Sequence, residues 1–409
     1  MWIAVELLLT FVALYPIVTA ALWVAGGLLF RALDERLPER PPDGGWPGVS
    51  VLIPAFNEEA VIATSVRAAL ASRYTELEVL VLDDGSTDRT ESVAVAAAAG
   101  DARCRVLRDP VNRGKAAQLN TGFAEARHGL VVVTDADAHV HPDAIRHLVV
   151  RISSSPLLAA VAGAPHVTNR GRLICAMQVL EAAAIIGLIR RTQSLTGRVG
   201  VVAGVFHRDR VRAVGGYDGR MATEDIDLTW RLLMAGWHTG YEPRALVGME
   251  VPSTLAALWA QRKRWACGQG EVLHRHLRAV SRWRLHRMWL LSLESLASLI
   301  WVVSMTATLV LGVLAAIIGG GPHELFGLGI AWGVAISVVA TVQLATALAL
   351  GFTYDRWALR SFLVGAVYPL LFWTIAATAA PRSQLAALAE GPREERVVWD
   401  IPRELDSTP

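Results

Sequence analysis

The fold is decided by three apolar stretches: Val49-Ser50-Val51-Leu52-Ile53-Pro54, Leu77-Glu78-Val79-Leu80-Val81-Leu82-Asp83 and Leu130-Val131-Val132-Val133-Thr134-Asp135. Each has the composition of a buried strand and stops at a proline or an acid. Arg105-Val106-Leu107 is a weaker fourth strand. Helical patterns separate them, at residues 58–72, 87–99 and 115–127. This alternation predicts βαβ units and an α/β fold of the Rossmann-like type with a mostly parallel sheet.

Polar segments follow these strands at the point where each one ends. They are Pro54–Glu58, Asp83–Ser86 and Asp135–Asp137. Ligands of open parallel sheets bind at the carboxyl ends of the strands. We therefore expect these segments to meet in one site.

Two acidic pairs stand at those strand ends. Asp83-Asp84-Gly85-Ser86 opens a helix, so a helix cap is the structural alternative to a ligand-binding role. Asp135-Ala136-Asp137 brings two carboxylates together, and oxygen ligands suit Mg²⁺ or Mn²⁺. Such an ion would neutralise a diphosphate leaving group, whereas the structural alternative is a surface turn.

Two further strings lie between Met221 and Gly270. Thr223-Glu224-Asp225 precedes a helical stretch at residues 228–235, where acids also favour the helix dipole. A reaction that deprotonates a hydroxyl needs a carboxylate base, and Asp225 is the candidate. In Gln261-Arg262-Lys263-Arg264-Trp265, Arg264 suits phosphate oxygens and Trp265 suits a sugar ring. An interfacial amphipathic helix is the alternative there.

Long apolar runs predict membrane spans. Ile3–Phe30 contains only the charge of Glu6, Leu290–Ile318 contains only Glu294, and Leu325–Thr353 and Ser361–Ala380 contain none. Each is long enough to cross a bilayer as a helix. No run of comparable quality lies between Arg31 and Arg287, so the chain is predicted to have one anchor, a middle domain and about three further spans.

Charge and cysteine content narrow the class further. Arg31, Arg36 and Arg40 follow the first run, which places the middle domain in the cytoplasm by the positive-inside tendency. A net charge of +2 and 53% apolar residues indicate a lipid bilayer rather than nucleic acid as a partner. The three scattered cysteines favour neither a disulfide framework nor a zinc site.

Taken together, the strings resemble the processive membrane synthases of glycosyltransferase family 2, which include cellulose, chitin and hyaluronan synthases. The resemblance is carried by the following strings: Pro54-Ala55-Phe56-Asn57-Glu58-Glu59, Asp84-Gly85-Ser86-Thr87-Asp88, Asn112-Arg113-Gly114-Lys115, Asp135-Ala136-Asp137, Thr223-Glu224-Asp225 and Gln261–Trp265. Finer strings, Ile186–Gln193, Tyr241–Leu246 and Leu258-Trp259, are similar to the poly-β-1,6-N-acetylglucosamine synthases of the bacterial biofilm matrix.

The resemblance implies a cytoplasmic GT-A-type catalytic domain and a role for each motif. Pro54, Asn57, Glu58, Asp84 and Lys115 would bind the nucleotide of a UDP-sugar. Asp135 and Asp137 would hold Mg²⁺ or Mn²⁺ at the diphosphate, with Asp137 the direct ligand. Asp225, beside Glu224, would be the general base of an inverting transfer, while Gln261, Arg264 and Trp265 would grip the diphosphate and the growing polysaccharide. A small accessory membrane protein is a further partner that the sequence leaves open.

The predicted organisation follows from these assignments. It comprises an anchor (1–30), a linker (31–48), the GT-A domain (49–250), interfacial helices with the Gln261–Trp265 string (251–288), about three spans (289–380) and a polar tail (381–409). One span before and three after would put the arginines of the tail outside, against the positive-inside tendency. Two other functions stay open: transfer of a single sugar to a lipid carrier, and a catalytically inactive membrane scaffold.

Overall fold

The computed structural model describes residues 2–318, 323–366 and 368–394. Its first element is a long helix, α1 (Trp2–Leu33), which contains Pro16 and ends three residues beyond the predicted anchor. Residues 36–48 then form an irregular connection to the first strand.

A single mixed sheet of eight strands forms the centre of the middle domain. The strands are β1 (Val49–Ala55), β2 (Leu77–Asp83), β3 (Cys104–Arg108), β4 (Leu130–Val133), β5 (His139–Val140), β6 (Leu158–Val167), β7 (Gly204–His207) and β8 (His238–Met249). Their order is β3-β2-β1-β4-β7-β6-β8-β5. The first four strands pair in parallel, as predicted. β7 runs antiparallel to both β4 and β6, so the sheet is less parallel than the sequence indicates.

Helices cover both faces of this sheet, which confirms the α/β class. They are α2 (Ile62–Leu70), α3 (Thr90–Ala98), α4 (Lys115–Glu125), α5 (Ala144–Ser153), α6 (Leu173–Glu181), α7 (Leu188–Leu195), α8 (Arg208–Ala213) and α9 (Glu224–Met234). A π-helical segment, Ala182–Gly187, joins α6 to α7. β1 and β2 are buried along their whole length, because apolar side chains on both faces pack under helices.

The second half of the chain is helical. Its elements are α10 (Leu255–Val280), a 3₁₀ segment (Trp283–Met288), α11 (Trp289–Ile318), α12 (His323–Gly351), a second 3₁₀ segment (Arg356–Ala366) and α13 (Tyr368–Glu390). α13 continues ten residues past the predicted start of the polar tail at 381, and residues 395–409 lie outside the described residues.

Four helices in the described part of the chain are long and apolar enough to cross a membrane: Val5–Leu33, Leu173–Leu195, Trp283–Ala315 and Trp332–Gly351. The second of these differs from the prediction that no such run lies inside the middle domain. Half of it is buried in the protein, where its apolar side chains pack against α1 and α12. The predicted span at 361–380 is divided between the second 3₁₀ segment and α13.

The segment between α12 and the end of α13 begins and ends beside the catalytic domain. After α12, Asp355 pairs with Arg170 at 2.6 Å, and the Tyr354 hydroxyl donates to Glu35 at the end of α1. At the other end, the carbonyl of Leu388 lies 2.8 Å from Nδ1 of His274 in α10. The segment from Asp355 to Leu388 therefore ends on the same side of the helical part as it begins, the side that faces the catalytic domain.

Candidate active site

The carboxyl ends of β1, β2 and β4 meet at one edge of the sheet, as the sequence predicts. Pro54 lies buried in β1 beside Leu82 of β2, and the chain then turns outward. Asn57 adopts a left-handed conformation with φ of 55°, and its Oδ1 accepts a hydrogen bond from the Thr87 N–H at 2.9 Å. The backbone N–H of the buried Glu58 donates to Thr90 Oγ1 at 2.7 Å. The first two motifs thus form one interlocked pair of loops.

Asp84 acts within this edge as an organiser of a neighbouring loop. It is fully buried, and its oxygens accept bonds from the backbone N–H groups of Arg113 (2.8 Å) and Gly114 (2.7 Å). The side-chain amide of Gln118 donates to it at 2.8 Å. The carboxylate predicted to bind the nucleotide is therefore engaged in holding the loop that leads to Lys115.

The Asp135-Ala136-Asp137 turn faces this loop. The carbonyl of Ala136 accepts a bond from Ser65 of α2 at 2.5 Å, and Ala138 N–H donates to the Asp135 carbonyl at 3.0 Å. These bonds fix the turn against the domain. Lys115 Nζ lies 2.5 Å from Asp135 Oδ1, so a cation already stands at the first carboxylate.

The Asp135-Ala136-Asp137 turn offers two carboxylates, so a hard divalent cation bound there would need further oxygen ligands. The described residues contain no cluster of three or more His, Cys, Asp and Glu arranged to hold a metal. Two carboxylates, Asp135 and Asp137, are what Mg²⁺ or Mn²⁺ commonly takes from a protein when phosphate oxygens and water complete its shell.

Glu224 and Asp225 form the first turn of α9 and lie near Lys115. Burial raises the pKa of Glu224 to about 7, against the opposing charge of Lys115. Burial likewise raises the pKa of Asp225, again opposed by Lys115. Burial lowers the pKa of Lys115, but the charges of Asp135 and Glu224 outweigh it and the pKa is raised. The result is a protonated lysine among carboxylates that have a raised proton affinity, a setting typical of acid–base sites.

The loop that carries these acids is held by α10. Glu271 accepts a bond from the Ala222 N–H at 2.7 Å, Arg275 pairs with Asp218 at 2.6 Å, and His276 Nε2 lies 2.7 Å from Asp227. Gly268 lies so close that a Cβ atom there would be 2.3 Å from Thr223 Oγ1. The helix with the Gln261–Trp265 string therefore also positions the candidate base.

Within that string, the cation that lies over the indole is one helical turn away from it rather than adjacent in sequence. Arg262 lies over the Trp265 ring at 4.5 Å and makes two bonds, of 2.6 and 2.5 Å, to Glu181. Arg264 is exposed and has no ion-pair partner among the described residues. Residues three apart on a helix face each other whereas adjacent ones do not, which explains the difference. Trp265 is 40% exposed and lines a cavity of about 180 Å³ bordered by α11 and α13.

Several buried polar atoms around this edge have no hydrogen-bond partner among the described residues: Thr134 Oγ1, Tyr217 Oη, Thr223 Oγ1 and Gln261 Oε1. An unpaired buried polar atom is costly, so native structures usually reserve such atoms for a ligand or water. Thr223 and Gln261 belong to predicted motifs, whereas Tyr217 was not predicted because a lone tyrosine carries no motif.

Arg190 is a second residue of this region that the motifs did not single out. Its Nη1 donates to the Gly163 carbonyl at 2.9 Å. Its charge interacts with Tyr241 and Asp225, which places it near the candidate base. It lies in the Ile186–Gln193 string, where the sequence alone indicates no chemical role for either arginine.

The chain belongs to glycosyltransferase family 2: the model of the glycosyltransferase-like family 2 matches residues 47–268. Poly-β-1,6-N-acetyl-D-glucosamine synthase of Staphylococcus epidermidis is 30% identical over 375 residues, which cover 89% of this chain and 91% of that protein. The enzyme of the same name in Staphylococcus aureus (strain COL) is 33% identical over 301 residues, covering 71% and 73%. The predicted family and glycosyltransferase activity are confirmed.

A solved structure has the same fold. It is a mannosyltransferase from Pyrobaculum calidifontis in complex with GDP-mannose and Mn²⁺, with a TM-score of 0.59 and 22% identity. The match covers 83% of this chain and 98% of the other.

Proposed function

We propose that this glycosyltransferase polymerises N-acetylglucosamine from UDP-N-acetylglucosamine into a β-linked, 1,6-joined exopolysaccharide and passes it through the membrane. The observation that carries the proposal is the similarity to a synthase of this polymer along nine-tenths of both chains, membrane helices included. A scaffold without activity would have no need for a lysine, Lys115, that interacts with the carboxylates of Asp135, Glu224 and Asp225 in one partly buried cluster.

The chemistry assigned to the site is a direct displacement. Asp225 removes the proton from the acceptor hydroxyl, and the oxygen forms a bond to the anomeric carbon of the donor. The bond from that carbon to the diphosphate breaks on the opposite face, UDP leaves with the bonding electrons, and the anomeric configuration inverts. Lys115 stabilises the charge that develops on the diphosphate.

A divalent ion is part of this proposal. Asp135 and Asp137 would hold Mg²⁺ or Mn²⁺, and the ion would supply positive charge to the leaving diphosphate. Pro54, Asn57 and Glu58 would line the nucleotide pocket, with Asp84 shaping it through the Arg113-Gly114 loop.

The membrane part offers a route for the product. A cavity of about 380 Å³ lies among α1, α7, α11 and α12 and is lined by three indoles, of Trp23, Trp301 and Trp373. Gln193, Gln343 and Glu294 supply polar groups to the same cavity. Flat aromatic faces with a few hydrogen-bonding groups suit a polysaccharide.

The proposed setting is a multi-pass protein of the cell membrane with a cytoplasmic catalytic domain. Arg31, Arg36 and Arg40 follow the first candidate span on the side of that domain, which supports this orientation. A small accessory membrane protein is part of the proposal as a partner.

Product size tests the polymerase against the single-sugar alternative. Purified protein in nanodiscs receives labelled UDP-N-acetylglucosamine, and its products are sized and their linkages analysed. Long chains with 1,6 linkages are expected. One added sugar per acceptor would favour transfer to a lipid carrier, and no transfer from any UDP-sugar would favour the scaffold.

Chelation tests the metal. EDTA should stop transfer, and Mg²⁺ or Mn²⁺ should restore it. In the Asp137→Ala variant, UDP binding should no longer depend on added metal. Full activity in EDTA would return Asp135 and Asp137 to the role of a structural turn.

The acceptor role of Trp265 is tested against Trp283, an indole that is 74% exposed in the first 3₁₀ segment. Trp265→Leu should insert normally and lose polymer synthesis, whereas Trp283→Leu should keep it. Equal polymer yield from both variants would make Trp265 an interfacial anchor.

A further inference from the structure

Tyr217 lies in the loop between α8 and α9, and its backbone is held on both sides. The side-chain amide of Asn120 in α4 donates to the Tyr217 carbonyl and accepts from the Tyr217 N–H, both at 2.8 Å. From the other side, Arg231 of α9 donates to the carbonyls of Val214 and Gly216, each at 2.6 Å. The position of this residue is thus set by the two helices that begin with Lys115 and Glu224.

The phenol ring is equally constrained. It is 4% exposed and packs against the rings of Phe123 at 5.9 Å and Phe206 at 6.5 Å between centroids. Since apolar rings surround its body, the ring alone would satisfy the packing. The hydroxyl is an addition that the packing does not require.

That hydroxyl is buried without a hydrogen-bond partner among the described residues. Burial, with the charges of Asp225, Glu224 and Asp135, raises the pKa of Tyr217 well above its ordinary value of 10.0. The group therefore stays protonated and is a hydrogen-bond donor near the candidate base Asp225 and near Asp135.

We propose that the Tyr217 hydroxyl donates a hydrogen bond to an oxygen of the bound nucleotide sugar and thereby helps to position the donor for attack. A buried donor that is unpaired in the free protein costs stability, and a ligand oxygen that pairs with it recovers this cost on binding. Pairing of this kind discriminates strongly for substrates that carry the matching acceptor.

Tyr74 provides a matched control. It is also 4% exposed, but its hydroxyl donates to the Pro47 carbonyl at 2.5 Å. Pro47 precedes β1 and Tyr74 precedes β2, so this tyrosine lies at the amino ends of the strands, away from the candidate site.

The experiment compares Tyr217→Phe with Tyr74→Phe in nanodiscs. Tyr217→Phe should lower kcat/KM for UDP-N-acetylglucosamine at least about tenfold, and its Tm without ligand should equal or exceed that of the wild type. Tyr74→Phe should show the reverse pattern, with a lower Tm and wild-type kcat/KM.

Two results would overturn the proposal. One is a kcat/KM of Tyr217→Phe within about twofold of the wild type, which would leave the hydroxyl bound to water. The other is a fall in the Tm of Tyr217→Phe like that of Tyr74→Phe, which would show a bond within the fold. A wild-type enzyme inactive with UDP-N-acetylglucosamine would contradict the proposed substrate, and the thermal comparison would still test the hydroxyl.

Discussion

At the scale of single residues, the proposed chemistry depends on how one lysine is placed among partly buried carboxylates. Lys115 contacts Asp135 and lies close enough to Glu224 and Asp225 to oppose the effect of their burial. Removing any one charge therefore changes the proton affinity of the others.

The first prediction concerns the base. Asp225→Asn should lower the transfer rate by about 10²–10⁴ and leave UDP binding largely intact, because the amide cannot accept the proton of the acceptor hydroxyl. Asp209→Asn is the control, since the Asp209 side chain is 81% exposed and, among the described residues, forms an ion pair only with its neighbour Arg208. Near-normal turnover by Asp225→Asn would remove this residue from its role.

The second prediction concerns pH. A carboxylic acid with a raised pKa is protonated below that pKa and cannot then accept a proton, so activity should rise with pH through the raised pKa of the base, Asp225. In the wild type, Lys115 opposes the rise in the pKa of both Glu224 and Asp225. Lys115→Met removes this cation, so the acidic limb of the kcat/KM profile should move to higher pH. Lys263→Met, at an exposed position, is the control. An acidic limb at the same pH in Lys115→Met would show that these carboxylates do not govern the profile.

At the scale of elements, α10 links the membrane-side string to the catalytic loop. One face carries Gln261 and Trp265, and the following turns contact Thr223, Ala222 and Asp218. A movement of this helix would displace the start of α9. The Gln261–Trp265 string and the Thr223-Glu224-Asp225 string are therefore coupled through the packing of α10.

Gly268 is the closest point of this contact and supplies the third prediction. A methyl group there would lie 2.3 Å from Thr223 Oγ1 and 2.4 Å from Thr223 Cγ2, so Gly268→Ala must change the packing of α10 against the residue that precedes α9 and Asp225. A displacement of about 1 Å at a reacting group can lower the rate about 10²-fold. Gly312→Ala in α11, where the methyl meets nothing within 4 Å, is the control. Equal transfer rates for the two variants would show that the contact does not position the base.

At the scale of the whole molecule, the course of the chain after α12 bears on the proposed membrane topology. A count of one span before and three after the middle domain would put the tail outside, against the positive-inside tendency, and the sequence leaves its side open. In the structure, the contacts of Asp355 and Leu388 hold both ends of the 355–388 segment beside the catalytic domain. This arrangement supports a topology in which the arginines near the end of α13 lie on the same side of the membrane as Arg31, as the positive-inside tendency favours.

The fourth prediction follows from this topology. In a variant without native cysteines, Glu390→Cys at the exposed end of α13 and Glu125→Cys at the exposed end of α4 should react from the same side of oriented vesicles. A membrane-impermeant maleimide applied to inside-out and right-side-out vesicles measures this. Labelling from opposite sides would mean that the last segment crosses the membrane.

Local patterns were sufficient for the first four strands, for the helices between them and for the edge of the sheet at which the motifs meet. Val49–Ile53, Leu77–Leu82 and Leu130–Val133 were predicted as strands because apolar β-branched runs between turn residues have few other stable conformations. The family could be recognised for a related reason. Its acidic motifs and its Gln261–Trp265 string are short contiguous strings in a set order along the chain, so the sequence alone is enough to identify them.

Contacts between distant residues decided the rest. That Arg262 rather than Arg264 lies over Trp265, and that Asp84 is occupied by the Arg113-Gly114 loop, depends on side-chain directions that spacing does not reveal. The antiparallel β7, the burial of Leu173–Leu195 and the return of α13 depend on the surfaces available in the folded chain. Tyr217 became a candidate only because folding buries its hydroxyl beside three carboxylates without supplying a partner, and unsatisfied burial is a property of the tertiary structure alone.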